Sequence, residues 1–341
     1  MITISLCMIV KNEERILARC LDSVKDLVDE IIIVDTGSAD ATKRIAAEYT
    51  DKIYDFAWID DFSAARNFAF SKASKEYIYS ADADEVLSEE NRQRFRQLKE
   101  TLLPEIEIVQ MKYGNQLHHG TVYNFDEEYR PKLFRRLRNF VWEEPIHEMV
   151  RLAPVVYDSD IVITHMPEQN HAGRDLGNFR KQIAAGRRLS RRLYGMYARE
   201  LFLAGNVQDL QEAENYFRTE VSSPDRSTDE ITEGCCVAAK AARLRGDTVA
   251  FFKHTSKVIA GEGCSEICCE LGHFYEEKQD YEEAAVWYYN AAYETQPALT
   301  LRSAGEEPLQ GLIRCYEQLG VPKQAESYRK ELKQRQNENK K

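Results

Sequence analysis

The chain has 341 residues, 43% of them hydrophobic and 30% charged, with a formal net charge of −11 at pH 7. That length favours two domains, the composition is ordinary for a globular protein, and the acidic balance argues against a nucleic-acid partner, which calls for a basic face. No apolar run approaches a membrane span, and the eight cysteines in a chain with no export signal suggest reduced thiols in the cytoplasm.

Ile2 to Val10 is a near-continuous apolar run, the pattern of a central parallel strand buried on both faces, and it runs straight into Lys11-Asn12-Glu13. Leu17, Cys20, Leu21 and Val24 then recur at helical spacing, which completes a β-α unit. Ile31 to Val34 is a second buried strand that stops at Asp35-Thr36-Gly37-Ser38, with Asp40 placed to cap a helix from Ala41. An aspartate at a strand tip accepts hydrogen bonds from a base or ribose, and Gly37 supplies the tight turn. The plainer alternative is an ordinary strand-to-helix connection.

Lys52 to Phe56 reads as a third strand, followed by a helix starting near Asp61 or Ser63. Arg66 falls on the first turns of that helix, where a cation sits poorly with the helix dipole unless it pairs with an acid or an anionic ligand. Asp61 and a pyrophosphate are the two partners expected. Tyr77 to Ser80 is an apolar strand that ends in Asp82, Asp84 and Glu85. On a strand, Asp82 and Asp84 share one face, so two hard oxygen ligands converge on one divalent cation, and a nucleoside diphosphate is its natural companion. A solvated turn ahead of a helix is the bland alternative. Ser88 to Leu102 reads as that helix, closed by Pro104.

From Glu105 to Val156 short strands are expected at Ile106 to Met111, Thr121 to Phe125, Lys132 to Phe134 and Phe140 to Trp142, with Glu143-Glu144-Pro145-Ile146-His147-Glu148 after the last. A further apolar run, Ile161 to Thr164, ends in His165, a third metal ligand at a strand tip.

These segments, in this order, resemble the inverting family 2 glycosyltransferases: Ile4 to Glu14, Ile31 to Thr42, Asp61 to Asn67, Ala81 to Glu85, Ile146 to Glu148 and His165. The resemblance covers about half the chain and is nearest to bacterial members with a helical repeat domain behind the catalytic one, including peptide and protein glycosyltransferases. It implies a GT-A catalytic domain, Rossmann-like with a mostly parallel sheet, over residues 1–172. It also implies Asp35 on the uracil or ribose, Asp82 on the ribose or sugar, Asp84 and His165 on a divalent cation (Mn2+ or Mg2+), and Lys11, Glu13 and Arg66 around the nucleotide-sugar. Glu148 is the expected catalytic base, with His147 and Glu144 as alternatives. Glu144 stands where many relatives have glycine three residues before the histidine, so the backbone there departs from the family pattern.

Beyond Gly173 the strand signals stop. Arg174, Arg180, Lys181, Arg187, Arg188, Arg191 and Arg192 are expected on one basic helix, residues 173–195, either solvated or facing substrate phosphates. Residues 196–335 read as an all-α tetratricopeptide-like (TPR-like) solenoid. Leu271, Gly272, Tyr275, Ala284 and Pro297 carry the pattern, and Tyr316 and Ala325 repeat Tyr275 and Ala284 across an insertion at Leu299 to Gly305. Weaker pairs are expected around Tyr197 to Phe217 and Val237 to Ile259. Cys264, Cys268 and Cys269 fit small apolar helix positions better than a metal cluster. Residues 336–341 form a polar tail.

The expectation is therefore a metal-dependent, cytoplasmic transferase moving a sugar from a UDP-sugar to a serine, threonine or cysteine side chain of a peptide or protein held by the repeats, with a homodimer as a further partner state. The alternatives are a saccharide or lipid-linked acceptor, and an inactive repeat adaptor.

Overall fold

The structure, a computed structural model, describes residues 1–114, 128–138, 141–150, 155–166 and 172–338. The expected strand at Thr121 to Phe125 and residue Phe140 lie outside the described residues. Two compact units divide the chain, Met1–His171 and Ala172–Lys341.

The first unit is an eight-stranded sheet with helices on both faces. Its strands are β1 (Ile4–Val10), β2 (Glu30–Asp35), β3 (Ile53–Asp55), β4 (Tyr77–Ser80), β5 (Glu85–Val86), β6 (Ile108–Gly114), β7 (Glu128–Arg135) and β10 (Val156–His165), while β8 (Trp142–Glu143) and β9 (Met149–Val150) form a separate small ladder. The sheet order is β3-β2-β1-β4-β7-β6-β10-β5. Pairings among β3, β2, β1 and β4 are all parallel, as is β6 with β10, whereas β7 runs antiparallel to both its neighbours and β5 antiparallel to β10. The first, second and fourth strands and β10 therefore end at the same edge, which is where open α/β sheets hold ligands.

Alternation along β1 explains the layering. Ile4, Leu6 and Met8, all fully buried, pack with Leu17, Cys20, Leu21 and Val24 of α1 (Leu17–Val24) and with Phe95 and Leu98 of α4 (Glu89–Thr101). Cys7 faces the other way, into a cluster with Ile32, Val34, Ile78 and Ala69 of α3 (Phe62–Lys72). Each such aliphatic side chain contributes about 1.5–3 kcal/mol on full burial. Helix starts follow local chemistry: Asp61 accepts from the Ala64 backbone N–H at 3.0 Å, and the Ser88 side chain accepts from Asn91. The helix expected from Ala41 begins one residue later, as α2 (Thr42–Ala46), where Asp40 accepts from the Thr42 N–H without occupying the cap position itself.

The second unit is helical: α5 (Ala172–Ala184), α6 (Arg191–Ala204), α7 (Val207–Glu220), α8 (Thr228–Arg245), α9 (Thr248–Ile259), α10 (Ser265–Glu277), α11 (Tyr281–Tyr289), α12 (Glu306–Gln318) and α13 (Pro322–Glu338). The single basic helix expected over 173–195 is two helices, broken at residues 185–190, where Gly186 takes φ +74° and Ser190 caps α6. Its arginines meet acids: Arg180 donates to Asp209 at 2.8 Å, Arg188 to Glu220 at 3.0 Å, and Arg191 pairs with Asp229 at 3.2 Å. They form a largely solvent-exposed face, as Lys181, Arg187, Arg188, Arg191 and Arg192 are all exposed, and α7 and α8 bring carboxylates to several of them. The expected polar tail is partly helical too, since α13 runs to Glu338.

The α10–α13 half carries the TPR-like pattern. Ala284 and Ala325, 41 positions apart, are both fully buried with Tyr288, Leu309 and Leu312, and Tyr275 and Tyr316 pack against that cluster. The extra length between repeats is taken up by a π-helical turn, Asn290–Glu294, and a 3-10 turn, Leu301–Ala304. All eight cysteines are buried and free, and no helix among the described residues is long and apolar enough to cross a membrane.

Candidate active site

Four strand ends build the site. At the tip of β2, Asp35 is almost wholly buried, and its Oδ1 accepts from the backbone N–H groups of Gly37 (3.0 Å) and Ser38 (2.9 Å). Gly37 allows that turn at φ +103°. The second oxygen of Asp35 is buried with no hydrogen-bond partner among the described residues, an acceptor of the kind a buried N–H or O–H of a ligand satisfies.

The loop after β1 is stitched to the one after β2. Asn12 accepts from the Ala39 N–H at 2.8 Å and its own N–H donates to Ser38 Oγ at 2.9 Å, while the Glu13 N–H donates to Thr42 Oγ1 at 2.7 Å. Asn12 adopts φ +56°, a conformation asparagine tolerates better than most residues. The side chain of Lys11 is exposed at this rim. Asn12 thus joins the two loops, a role that composition and spacing did not signal.

Asp82 and Asp84 do not share a strand face. β4 ends at Ser80, and residues 81–84 form a turn closed by the Glu85 N–H donating to the Asp82 carbonyl at 3.2 Å. The two carboxylates separate as a result. Asp84 Oδ2 lies 3.0 Å from His165 Nε2, and β5 pairs antiparallel with β10 so that Glu85 stands opposite His165. The remaining oxygen, Asp84 Oδ1, is buried with no partner among the described residues. An oxygen donor without a partner, beside an imidazole nitrogen, is a donor set that suits a divalent cation such as Mn2+ or Mg2+. Asp82 turns instead to Arg66.

Arg66 is the hub of the other half of the site. Its Nε donates to Glu148, Nη1 to Ser80 Oγ at 3.0 Å and Nη2 to Asp82 Oδ1 at 2.8 Å. The guanidinium also lies 4.9 Å over the Trp142 ring. Asp61 is not its partner, being occupied in capping α3; three of the five guanidinium N–H donors go to these side chains. Burial disfavours the charged guanidinium, but Asp82 and Glu148 beside it outweigh that and hold it protonated. For Asp82 burial likewise opposes ionisation, and Arg66, followed by Lys132, overrides it and drives the carboxyl well below the ordinary range.

The segment carrying Glu148 is docked on α3. The Asn67 side chain holds Trp142 at both ends, donating to its carbonyl (3.0 Å) and accepting from its N–H (2.8 Å), and the Phe62 N–H donates to the Pro145 carbonyl at 3.0 Å. Glu144, between those anchors, and His147, just past them, adopt φ +70° and +46°. A left-handed backbone at two non-glycine residues persists only where its surroundings impose it. The glycine-to-glutamate departure at Glu144 therefore coincides with a position where glycine would carry no strain.

Next to the Asp84–His165 pair lies a buried ion pair, Lys132 with Glu85. Burial pushes Glu85 up to about 7 despite Lys132. Tyr113 stacks between Arg130 (4.1 Å to its ring) and His165 (ring centroids 5.1 Å). Lys132, Tyr113 and Arg130 were not readable as site residues; the faint signal was a lysine and an arginine alternating into the strand that ends in the apolar Leu133-Phe134.

Residues 5–151 match the family model described as glycosyl transferase family 2. The first unit carries a family 2 glycosyltransferase domain. Among curated relatives, a TPR repeat-containing protein of Synechococcus elongatus is 54% identical over 87 residues, which are 26% of this chain and 22% of that protein. The SPbeta prophage-derived glycosyltransferase SunS of Bacillus subtilis is 39% identical over 102 residues, 29% of this chain and 24% of SunS. An uncharacterized glycosyltransferase of Rickettsia felis is 40% identical over 87 residues, 26% of this chain and 30% of that one. The chain thus spans less than a third of the length of these relatives. A solved structure of glucosyl-3-phosphoglycerate synthase from Mycobacterium tuberculosis, in complex with Mn2+ and UDP-glucose, superposes with a TM-score of 0.39 at 16% identity, over 54% of this chain and 77% of that one. The glycosyltransferase domain has the GT-A arrangement, a mostly parallel sheet with acidic strand tips at one edge, followed in this chain by TPR-like helices.

Proposed function

We propose that the protein is a metal-dependent, inverting glycosyltransferase that moves a sugar from a UDP-sugar to a peptide or protein side chain. The observation that carries the reading is the pairing of Asp84 and His165 across two strand tips, with one Asp84 oxygen buried and unpartnered. Asp35 supports the donor side, since its unpartnered oxygen offers an acceptor to the base or ribose. A divalent cation, when bound by Asp84 and His165, supplies Lewis-acid stabilisation of the charge that develops on the departing diphosphate. The chain's own residues then have distinct tasks. Asp82 accepts hydrogen bonds from ribose or sugar hydroxyls, and Glu148 takes the acceptor's proton as the nucleophile attacks. Arg66 holds both carboxylates in place and keeps Asp82 ionised. Lys11 and Glu13 stand on the loop facing the nucleotide side, and His147 orients the segment on which Glu148 is carried. The helical repeats support a polypeptide acceptor, because stacked helix pairs present extended surfaces.

The test is UDP release from a set of UDP-sugars with Mn2+ or Mg2+, with a chelator control, comparing wild type with Asp84→Ala. Metal-dependent release that the substitution lowers on the order of 100-fold or more is expected. Release indifferent to both chelator and substitution overturns the metal assignment, and absence of UDP binding by calorimetry overturns the transferase reading. Offering a peptide panel beside a glycan panel then decides the acceptor: transfer confined to glycans removes the peptide assignment.

A further inference from the structure

The helical unit holds a cavity of about 520 Å³ whose walls include Ile259, Glu262, Trp287, Tyr289, Asn290 and Glu294. Its shape comes from two irregularities in the chain. α9 stops at Ile259, and Gly263 turns the chain at φ +74° into Cys264, the N-cap of α10. On the other side α11 does not end cleanly but widens into the π-helical turn Asn290–Glu294, which Thr295 closes by donating from Oγ1 to the Asn290 carbonyl at 3.0 Å. Such single π turns concentrate at functional sites because the extra residue re-aims side chains. Cys268 forms the floor, nearly wholly buried, its thiol pushed up to about 11 by burial and hence unreactive.

The chemistry of the walls is one-sided. Glu262 and Glu294 are both exposed, and neither enters an ion pair among the described residues, whereas no lysine or arginine lines the cavity. Trp287 spends its indole N–H on Glu283 at 2.9 Å, so what it offers a ligand is ring surface. Tyr289 is 44% exposed and packs its ring 4.7 Å from that of Tyr293. Carboxylates at the mouth and aromatic faces on the wall form a receptor for a cation on an aliphatic stem. The apolar surface also continues beyond the cavity at Val286 and Tyr289, 52% and 44% exposed, while Tyr293 already carries Arg335 5.6 Å from its ring. A small free amine leaves that surface uncovered, but an extended polypeptide with apolar and basic residues covers it.

We infer that this cavity binds a lysine or arginine side chain of a polypeptide whose neighbouring apolar residues lie along Val286 and Tyr289. If the protein transfers sugar to polypeptides, this is where the acceptor's basic segment docks; that last identification rests on the proposed function, while the binding itself does not.

The probe is a blocked heptapeptide of alternating lysine and leucine, titrated into the full chain by calorimetry. Its glutamate–leucine and norleucine–leucine analogues and N-acetyl-lysinamide are run beside it. The lysine peptide is expected to bind, to weaken as salt rises from 50 to 500 mM, and to bind about fivefold to tenfold less tightly to the double variant Glu262→Gln, Glu294→Gln. Both positions are exposed, so the variant folds as wild type, which circular dichroism verifies. Trp287→Leu is expected to weaken binding further with the carboxylates intact. Equal binding of the glutamate peptide, indifference to the double variant, or equal affinity for N-acetyl-lysinamide alone overturns the inference. Measuring UDP release on the same preparations separates the two ideas: donor consumption without peptide binding removes the docking site and leaves the transferase, and peptide binding without donor consumption does the reverse.

Discussion

The Asp84 carboxylate meets Nε2 of His165 at 3.0 Å across 81 residues of sequence. The antiparallel pairing of β5 with β10 brings them together, and the Met166 N–H donating to the Asp84 carbonyl at 2.9 Å locks that register. If the pair holds a cation, His165→Ala removes one ligand and leaves Asp84 in place. Calorimetry of UDP with Mn2+ is expected to show affinity lowered at least about tenfold, while UDP binding in chelator is unchanged. Equal loss with and without metal marks a structural role instead.

Arg66 carries two carboxylates at once, so its removal leaves both Asp82 and Glu148 uncompensated in a mostly buried position. Breaking one side of such a pair costs about 3 kcal/mol even with allowance for the partial exposure of Asp82. Arg66→Leu is expected to lower the urea midpoint correspondingly and to abolish transfer. Arg66→Lys keeps the charge but cannot reach three acceptors with a single ammonium, so it is expected to fold better than Arg66→Leu and still lose most activity. Wild-type turnover in Arg66→Lys excludes the positioning role.

His254 in α9 is 1% exposed, and neither ring nitrogen has a hydrogen-bond partner among the described residues. Burial pushes its pKa down to about 4, with Lys257, Lys253 and Arg218 adding repulsion and Asp247 opposing them. Because the folded value lies below the unfolded value of about 6.5, the stability this neutral ring contributes is present above pH 6.5 and is lost as pH falls towards 4. The loss amounts to at most about 3 kcal/mol. Urea midpoints at pH 7 and pH 5 are expected to differ more in wild type than in His254→Leu, and identical pH slopes contradict the assignment.

Gly272 and Gly311 both abut the Tyr288 ring, and an added Cβ at either stands 2.6 Å from ring atoms. The ring cannot retreat, since its hydroxyl is held by His273 Nδ1 at 2.7 Å and Glu276 at 2.6 Å. Alanine gains about 1 kcal/mol of helix propensity over glycine, but overpacking a fixed core costs about 1–3 kcal/mol. Gly272→Ala and Gly311→Ala are therefore expected to lower the thermal midpoint, whereas Gly177→Ala, with nothing within 4 Å of its Cβ, raises it. A rise in all three shows that the ring gives way.

Much of this molecule is local in origin. Buried strands at Ile4–Val10, Glu30–Asp35 and Tyr77–Ser80 are apolar runs too short and too β-branched or aromatic to be anything else in a βα sequence, and their acidic ends mark the functional edge. Asp61 and Ser88 announce their helices because a side-chain oxygen at that offset satisfies N–H groups the helix leaves open. The pairing partners of the charged residues were not local. Whether Arg66 faces Asp61, a phosphate or two carboxylates depends on how β4 and the 142–150 segment pack on α3, and whether Asp82 and Asp84 converge depends on where β4 ends. The basic run after Gly173 shows the same limit: its solvent exposure was readable, but the acids that α7 and α8 set opposite it were not. For these strands and caps, secondary structure follows from neighbours a few residues away, so sequence alone determined it, whereas the end of β4 at Ser80 and the break at residues 185–190 were not read from sequence. Electrostatic partnership is set by contacts between distant segments, and only the tertiary structure decided that.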